Sequence, residues 1–135
     1  MLPARTPVEG VAEEPQAALE GDRIELKGAV YFENAKAVLQ PRSFALLDEV
    51  ASVMEAHPEV KLVNIEGQTD DRGSAAANLA LSQARAQSVK AYLVGKGVAA
   101  ERLGAHGSGP TSPIADNATA EGREKNRRVE FIVTD

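Results

Sequence analysis

Groups able to recognise a charged ligand concentrate in the segment Thr69-Asp70-Asp71-Arg72-Gly73 and the stretch behind it, which carries Asn78, Ser82 and Arg85. This segment stands where a strand pattern hands over to a helical one. In α/β sheets the carboxyl end of a strand is the usual ligand crevice. Asn78 and Arg85 are seven positions apart. On a helix they therefore share a side, about 10 Å apart along the axis. Both flank the apolar stripe, which predicts them at the rim of the core. An Arg held there, near a loop Asp, sets a fixed positive charge beside a fixed negative one. The plainer alternative is structural: an Asp capping the helix start and Arg85 in an ordinary ion pair, which spacing alone favours.

Other chemistries find less support. Glu66, Asp70 and Asp71 offer oxygen ligands for a hard cation, but EF-hand spacing and Asp-x-Asp order are absent. His57 precedes Pro58 at a helix end and His106 falls in an expected strand, neither beside a nucleophile, and no G-x-S-x-G elbow exists. The glycines from Gly104 to Gly109 lack the Lys-Ser/Thr of a phosphate loop. Arg127 and Arg128 are too few for a nucleic-acid surface. No base, nucleophile and oxyanion site come together, so no catalytic residue, cofactor or metal ligand is assigned. A hydrolase built on Glu66, Asp70 and Asp71 is the minor enzymatic alternative.

The elements that position these groups follow from pattern. The chain has 135 residues, 43% hydrophobic and 26% charged, a normal balance for one globular domain. Only 4% are aromatic, so aliphatic side chains and Ala must form the core, and there is no Cys to staple it. The net charge is −5, most of it in residues 1–22, where Glu9, Glu13, Glu14, Glu20 and Asp22 oppose Arg5. With Pro3, Pro7 and Pro15 as well, this stretch reads as a flexible acidic linker, and residues 23–135 as the domain. The linker lacks the apolar region of a signal peptide. That leaves either a cytoplasmic protein or a piece of a longer exported chain.

Ile24, Leu26, Val30 and Phe32 suggest a first strand interrupted near Gly28. Pro41 suits a first helical turn, and Phe44, Leu47, Val50, Ala51 and Met54 recur at helical spacing. Residues 60–67 read as a strand and residues 75–95 as a long helix with Leu79, Ala86, Val89 and Leu93 on one stripe, stopped by Gly95 and Gly97. A strand over residues 102–107, a short helix over 119–125 and a last alternating strand through Val129, Phe131 and Val133 complete the chain. The order β-α-β-α-β-(α)-β predicts a two-layer α/β sandwich with helices packed on a small mixed sheet.

Gly67-Gln68-Thr69-Asp70-Asp71-Arg72-Gly73, Asn78-Leu79-Ala80-Leu81-Ser82-Gln83-Ala84-Arg85-Ala86 and Asn126-Arg127-Arg128-Val129-Glu130-Phe131 closely resemble blocks of the OmpA-like peptidoglycan-binding domain. Phe32-Glu33, Ala37, Leu39, Gly97-Val98, Arg102-Leu103, Pro113-Ile114-Ala115 and Gly122-Arg123 continue the pattern, over about residues 24–134. The sequence departs from it at Gln68, where the family often has His, and at Glu33, where Asp is usual.

The resemblance implies a noncatalytic module that holds the diaminopimelate of a peptidoglycan stem peptide. Diaminopimelate offers an ammonium and a carboxylate on one carbon. The family's key Asp falls on Asp70, which would take the ammonium, and its key Arg on Arg85, which would take the carboxylate as a bidentate fork. Asn78, Arg127, Thr69 and Leu81 match supporting positions, and Phe32 and Glu33 match a turn whose backbone N–H groups help hold the carboxylate, with Asn34 beside it. The resemblance implies a periplasmic or cell-envelope location, with no nucleic-acid partner and no membrane contact except through an anchor outside this chain. The competing expectation is an envelope assembly module that keeps the fold and uses another surface.

Overall fold

The computed structural model describes residues 16–33, 36–111 and 113–134. Strands β1 (Ala17–Glu20) and β2 (Arg23–Leu26) come first, then a 3-10 turn (Pro41–Ser43) leading into α1 (Phe44–Ala56). Next are β3 (Leu62–Gln68), α2 (Ala75–Gly95), β4 (Leu103–Gly109), α3 (Ala120–Asn126) and β5 (Arg128–Thr134). They build one five-stranded sheet in the order β1-β2-β5-β3-β4. Only β3 and β4 are parallel, joined through α2; the other neighbours run antiparallel. This is the expected two-layer α/β sandwich on a small mixed sheet, with an added N-terminal strand.

That strand corrects the linker boundary. Ala17–Glu20 pairs with Arg23–Leu26 across a two-residue turn, with Gly21 at φ 61°. Gly-Asp is a hairpin signal, and Ala17 and Leu19 alternate into the core beside it; an acid count over the segment hides both. The Glu49 carboxylate on α1 accepts the backbone N–H groups of Gln16 (2.5 Å) and Ala17 (3.3 Å), pinning the start of β1. The linker expectation for residues 1–15 lies outside the described residues. The interrupted first strand is likewise shorter than expected. It ends at Leu26, and Phe32 forms only an isolated bridge with Leu39.

The core forms where the helices meet the sheet. From α1 come Leu46, Leu47, Val50, Ala51 and Met54; from α2 come Ala86, Val89 and Leu93; Val63, Ile65, Leu103, Val129 and Phe131 face them from the strands. Full burial of a side chain such as Leu47 or Phe131 contributes about 1.5–3 kcal/mol. Ser74 caps α2 by accepting the Ala77 N–H. The helix ends in a Schellman motif: Val98 N–H reaches the Leu93 carbonyl and Gly97 N–H the Val94 carbonyl, with Gly97 at φ 105°. Leu79 does not join the buried stripe. It is half exposed, because it sits over Gly109 at the end of the sheet, and the buried face begins at Ser82.

Close approach fixes α2 against the strands. A Cβ on Gly67 would stand 2.5 Å from the Ser82 carbonyl oxygen, so a side chain there would push the helix away. Ser82 Oγ accepts the Gly109 N–H, and Gln83 donates to the Ala105 carbonyl and accepts from the Gly107 N–H. These bonds hold the front of α2 at the carboxyl ends of β3 and β4.

Candidate functional site

The ends of β3 and β5, the front of α2 and the segment before α1 enclose an open cleft of about 840 Å³. Its floor begins with Thr69, whose N–H donates to the Gly109 carbonyl at 2.8 Å and whose hydroxyl donates to the Asp70 carbonyl. Asp70 then turns into the cleft with its side chain one-tenth exposed. One carboxylate oxygen accepts the Arg72 N–H at 3.0 Å, an Asx turn that sets the side chain's direction. The other accepts from Arg127 Nη1 at 2.5 Å. Asn78 Nδ2 donates to the Arg72 carbonyl at 2.7 Å, fastening the loop to α2.

Arg85 comes from the same helix two turns on. Its Nε donates to the Lys36 carbonyl at 2.9 Å, and its guanidinium lies 4.8 Å from the centre of the Phe32 ring, a cation–π contact. Burial lowers its pKa, the Arg127 charge adds to that, and the Asp70 charge opposes it. Arg85 forms no ion pair within 4 Å among the described residues, since Asp70 is taken by Arg127. The plainer alternative does not hold among the described residues: Ser74 rather than an Asp caps α2, and Arg85 has no ion pair. The cleft instead holds a half-buried cation beside an ion pair, an arrangement that suits an incoming carboxylate.

Seven of the residues singled out from the sequence line this one cleft: Phe32, Thr69, Asp70, Asn78, Leu81, Arg85 and Arg127. Glu33 does not. Its side chain is exposed and its N–H donates to the Val38 carbonyl at 2.8 Å, so that donor is committed to the turn. Asn34 lies outside the described residues. Glu66 and Asp71 are not part of the lining, which separates them from Asp70 as a carboxylate set. Among the described residues, no group of three or more His, Asp or Glu is placed to hold a metal ion.

The cleft also contains Tyr31 and Arg42, which sequence reasoning passed over, and the fold gives Gln68 and Asn126 places that the sequence did not specify. Tyr31 carries the Arg42 guanidinium 3.6 Å above its ring, and both line the wall. Gln68 is buried at the floor. Arg127 owes its position to Asn126, which is fully buried and satisfied on all sides. Its Oδ1 accepts the Ile114 and Ala115 N–H groups, and its Nδ2 donates to the Ala115 carbonyl and Asn117 Oδ1.

A small mixed sheet under two helices, with an acid–base cleft at the ends of its central strands, defines a class of fold found in envelope proteins. The chain belongs to the OmpA family, whose model matches residues 31–127. The peptidoglycan-binding protein ArfA of Mycobacterium tuberculosis is 45% identical over 106 residues, which are 78% of this chain and 32% of that protein. The probable lipoprotein YiaD of Escherichia coli is 42% identical over 116 residues, 84% of this chain and 52% of that one. The chain thus spans about a third to a half of the length of these relatives.

Among solved structures, the peptidoglycan-associated lipoprotein from Burkholderia pseudomallei superimposes with a TM-score of 0.72 at 32% identity, covering 78% of this chain and 89% of that one. The cell wall anchor of the T6SS from Pseudomonas aeruginosa gives 0.72 at 35% identity, covering 89% of each.

Proposed function

We propose that this domain binds peptidoglycan without chemically changing it. It holds the diaminopimelate of a stem peptide and so moors a larger envelope protein to the wall from the periplasmic side. The observation that carries the reading is the half-buried Arg85, without an ion-pair partner among the described residues, lining one cleft with the Asp70 carboxylate. The far end of diaminopimelate is a zwitterion: its carboxylate brings Arg85 a counter-charge, and its ammonium joins Arg127 at the Asp70 carboxylate. Asp70 takes the ammonium; a carboxylate has about four acceptor positions, and protein donors occupy two of these. Arg85 spends Nε on Lys36, which leaves its terminal nitrogens for the ligand carboxylate.

The remaining lining residues have supporting roles. Phe32 steadies Arg85, Asn78 and Thr69 set the loop, Leu81 gives an apolar wall, and Arg127 balances Asp70 until ligand arrives. The relatives named for peptidoglycan binding or wall anchoring support this reading. The acidic residues before Gln16 serve as the tether to an anchor elsewhere.

Cosedimentation with purified sacculi containing diaminopimelate tests the proposal. The wild-type domain is expected in the pellet and Asp70→Ala in the supernatant. Wild type left wholly in the supernatant at low salt refutes wall binding. Cosedimentation undiminished in Asp70→Ala assigns the contact to another surface.

A further inference from the structure

The floor of the cleft holds a group that zwitterion recognition leaves unused. Gln68, the last residue of β3, is 5% exposed and lines the cleft, yet its Oε1 has no hydrogen-bond partner among the described residues. Buried amide oxygens are almost always paired, and an unpaired one lowers stability. Its neighbours do not offer a remedy. Thr69 has both its N–H and its hydroxyl engaged elsewhere, and the Asp70 carboxylate is itself an acceptor. Arg127 donates to Asp70, and Arg128 Nε donates to Glu130 at 2.8 Å. No donor among the described residues reaches this oxygen, which leaves it open to a donor that a ligand brings into the cleft.

We infer that Gln68 is a specificity-determining contact whose Oε1 accepts an uncharged amide N–H of the ligand, one of the two peptide bonds that flank the diaminopimelate. The inference rests on the peptidoglycan reading and extends it from the zwitterion to the backbone that carries it. An ammonium is the wrong donor for this place. The ionised Asp70 two residues on is the stronger acceptor and draws the ammonium to itself. Two residues of extended chain span roughly 6–7 Å, similar to the reach of the three methylenes between the far centre of diaminopimelate and its backbone amide. One ligand residue thus satisfies Asp70 with its far end and Gln68 with its near end.

Calorimetric titration of wild type and Gln68→Met tests this, with a diaminopimelate stem peptide and two analogues in which the amide before or after the diaminopimelate is an ester. Met keeps the shape and removes the orphaned oxygen, so the unliganded variant should melt no lower than wild type. Its affinity for the parent peptide should fall about 5–20-fold, the worth of one hydrogen bond to a buried group. One of the esters should weaken wild type by a similar factor and leave Gln68→Met within twofold. Gln68→Glu, which retains an acceptor, should keep the preference for amide over ester.

Affinity of Gln68→Met equal to wild type, or both esters weakening the two proteins equally, overturns the inference while leaving wall binding intact. Wild type that does not bind the parent peptide overturns both.

Discussion

Replacing Arg85 by Ala separates charge recognition from folding, because the unliganded domain gains little from this side chain. Arg85 contributes one hydrogen bond, to the Lys36 carbonyl, and one cation–π contact, to Phe32. At a half-exposed position these are worth about 0.5–1 kcal/mol each. Against them stands a cation that burial and Arg127 both disfavour. The net change in stability should stay below about 1 kcal/mol. The bound state differs, since the ligand carboxylate loses its main partner. Stripping one member from a desolvated charge pair costs about 2–5 kcal/mol. Half exposure places Arg85 toward the lower end, about 2–3 kcal/mol or roughly 30–150-fold in affinity.

Arg85→Lys should also lose affinity, because an ammonium does not reproduce the planar fork. A stem peptide with Lys in place of diaminopimelate keeps the ammonium and lacks the second carboxylate. It should bind wild type more weakly and lose less on Arg85→Ala. The assay is a calorimetric double cycle of two proteins against two peptides, with thermal melts on both proteins. Equal losses for the two peptides, or a melting temperature that falls together with affinity, would refute the reasoning.

Other expectations concern the frame that holds the cleft. Gly67→Ala forces a Cβ to within 2.5 Å of the Ser82 carbonyl oxygen; urea unfolding should show a loss of about 1–3 kcal/mol, typical of overpacking. Asn126→Ala deprives the Ile114 and Ala115 N–H groups of their acceptor. It should cost about 2–4 kcal/mol by the same measurement and weaken peptide binding through Arg127. Burial and the hydrogen bond donated to Asp48 raise the Tyr92 phenol to about 12. Since the folded value lies above the unfolded value near ~10, the stability this group contributes is complete below pH ~10 and is lost as pH rises toward the folded value. Spectrophotometric titration should show that late phenolate step in wild type and none in Tyr92→Phe.

How much of this was legible in the sequence depended on the range of each interaction. Local signals were reliable: α2 spans Ala75–Gly95 as its uninterrupted pattern and closing glycines predict, and β5 shows the alternation of Val129, Phe131 and Val133. The hairpin at Gly21-Asp22 was equally local. The acidic residues and prolines that surround it in residues 1–22 mask its short alternation. Leu79 kept the helical spacing of the core stripe, but its half exposure depends on where the sheet ends, which periodicity does not encode. The site divided in the same way. Asp70, Asn78 and Arg85 sit within sixteen residues of one another and were found by spacing. The Asp70–Arg127 contact joins positions 57 residues apart, and no local pattern announces which cation a carboxylate selects. Resemblance brought Arg127 to the site without revealing its partner.

The place of β5 in the sheet has a consequence for assembly. It lies between β2 and β3, pairing with both. Without it, β1–β2 and β3–β4 are separate pairs that share no backbone hydrogen bond. Ile24 meets Phe131 and Arg23 meets Ile132, so joining the two pairs closes a loop of more than a hundred residues. Such long closures are slow and are rewarded only once complete. Joining the two pairs therefore waits on β5, and Arg127, next to that strand, reaches Asp70 as it docks. The Asp70–Arg127 side of the cleft is thus completed by the same strand that completes the sheet.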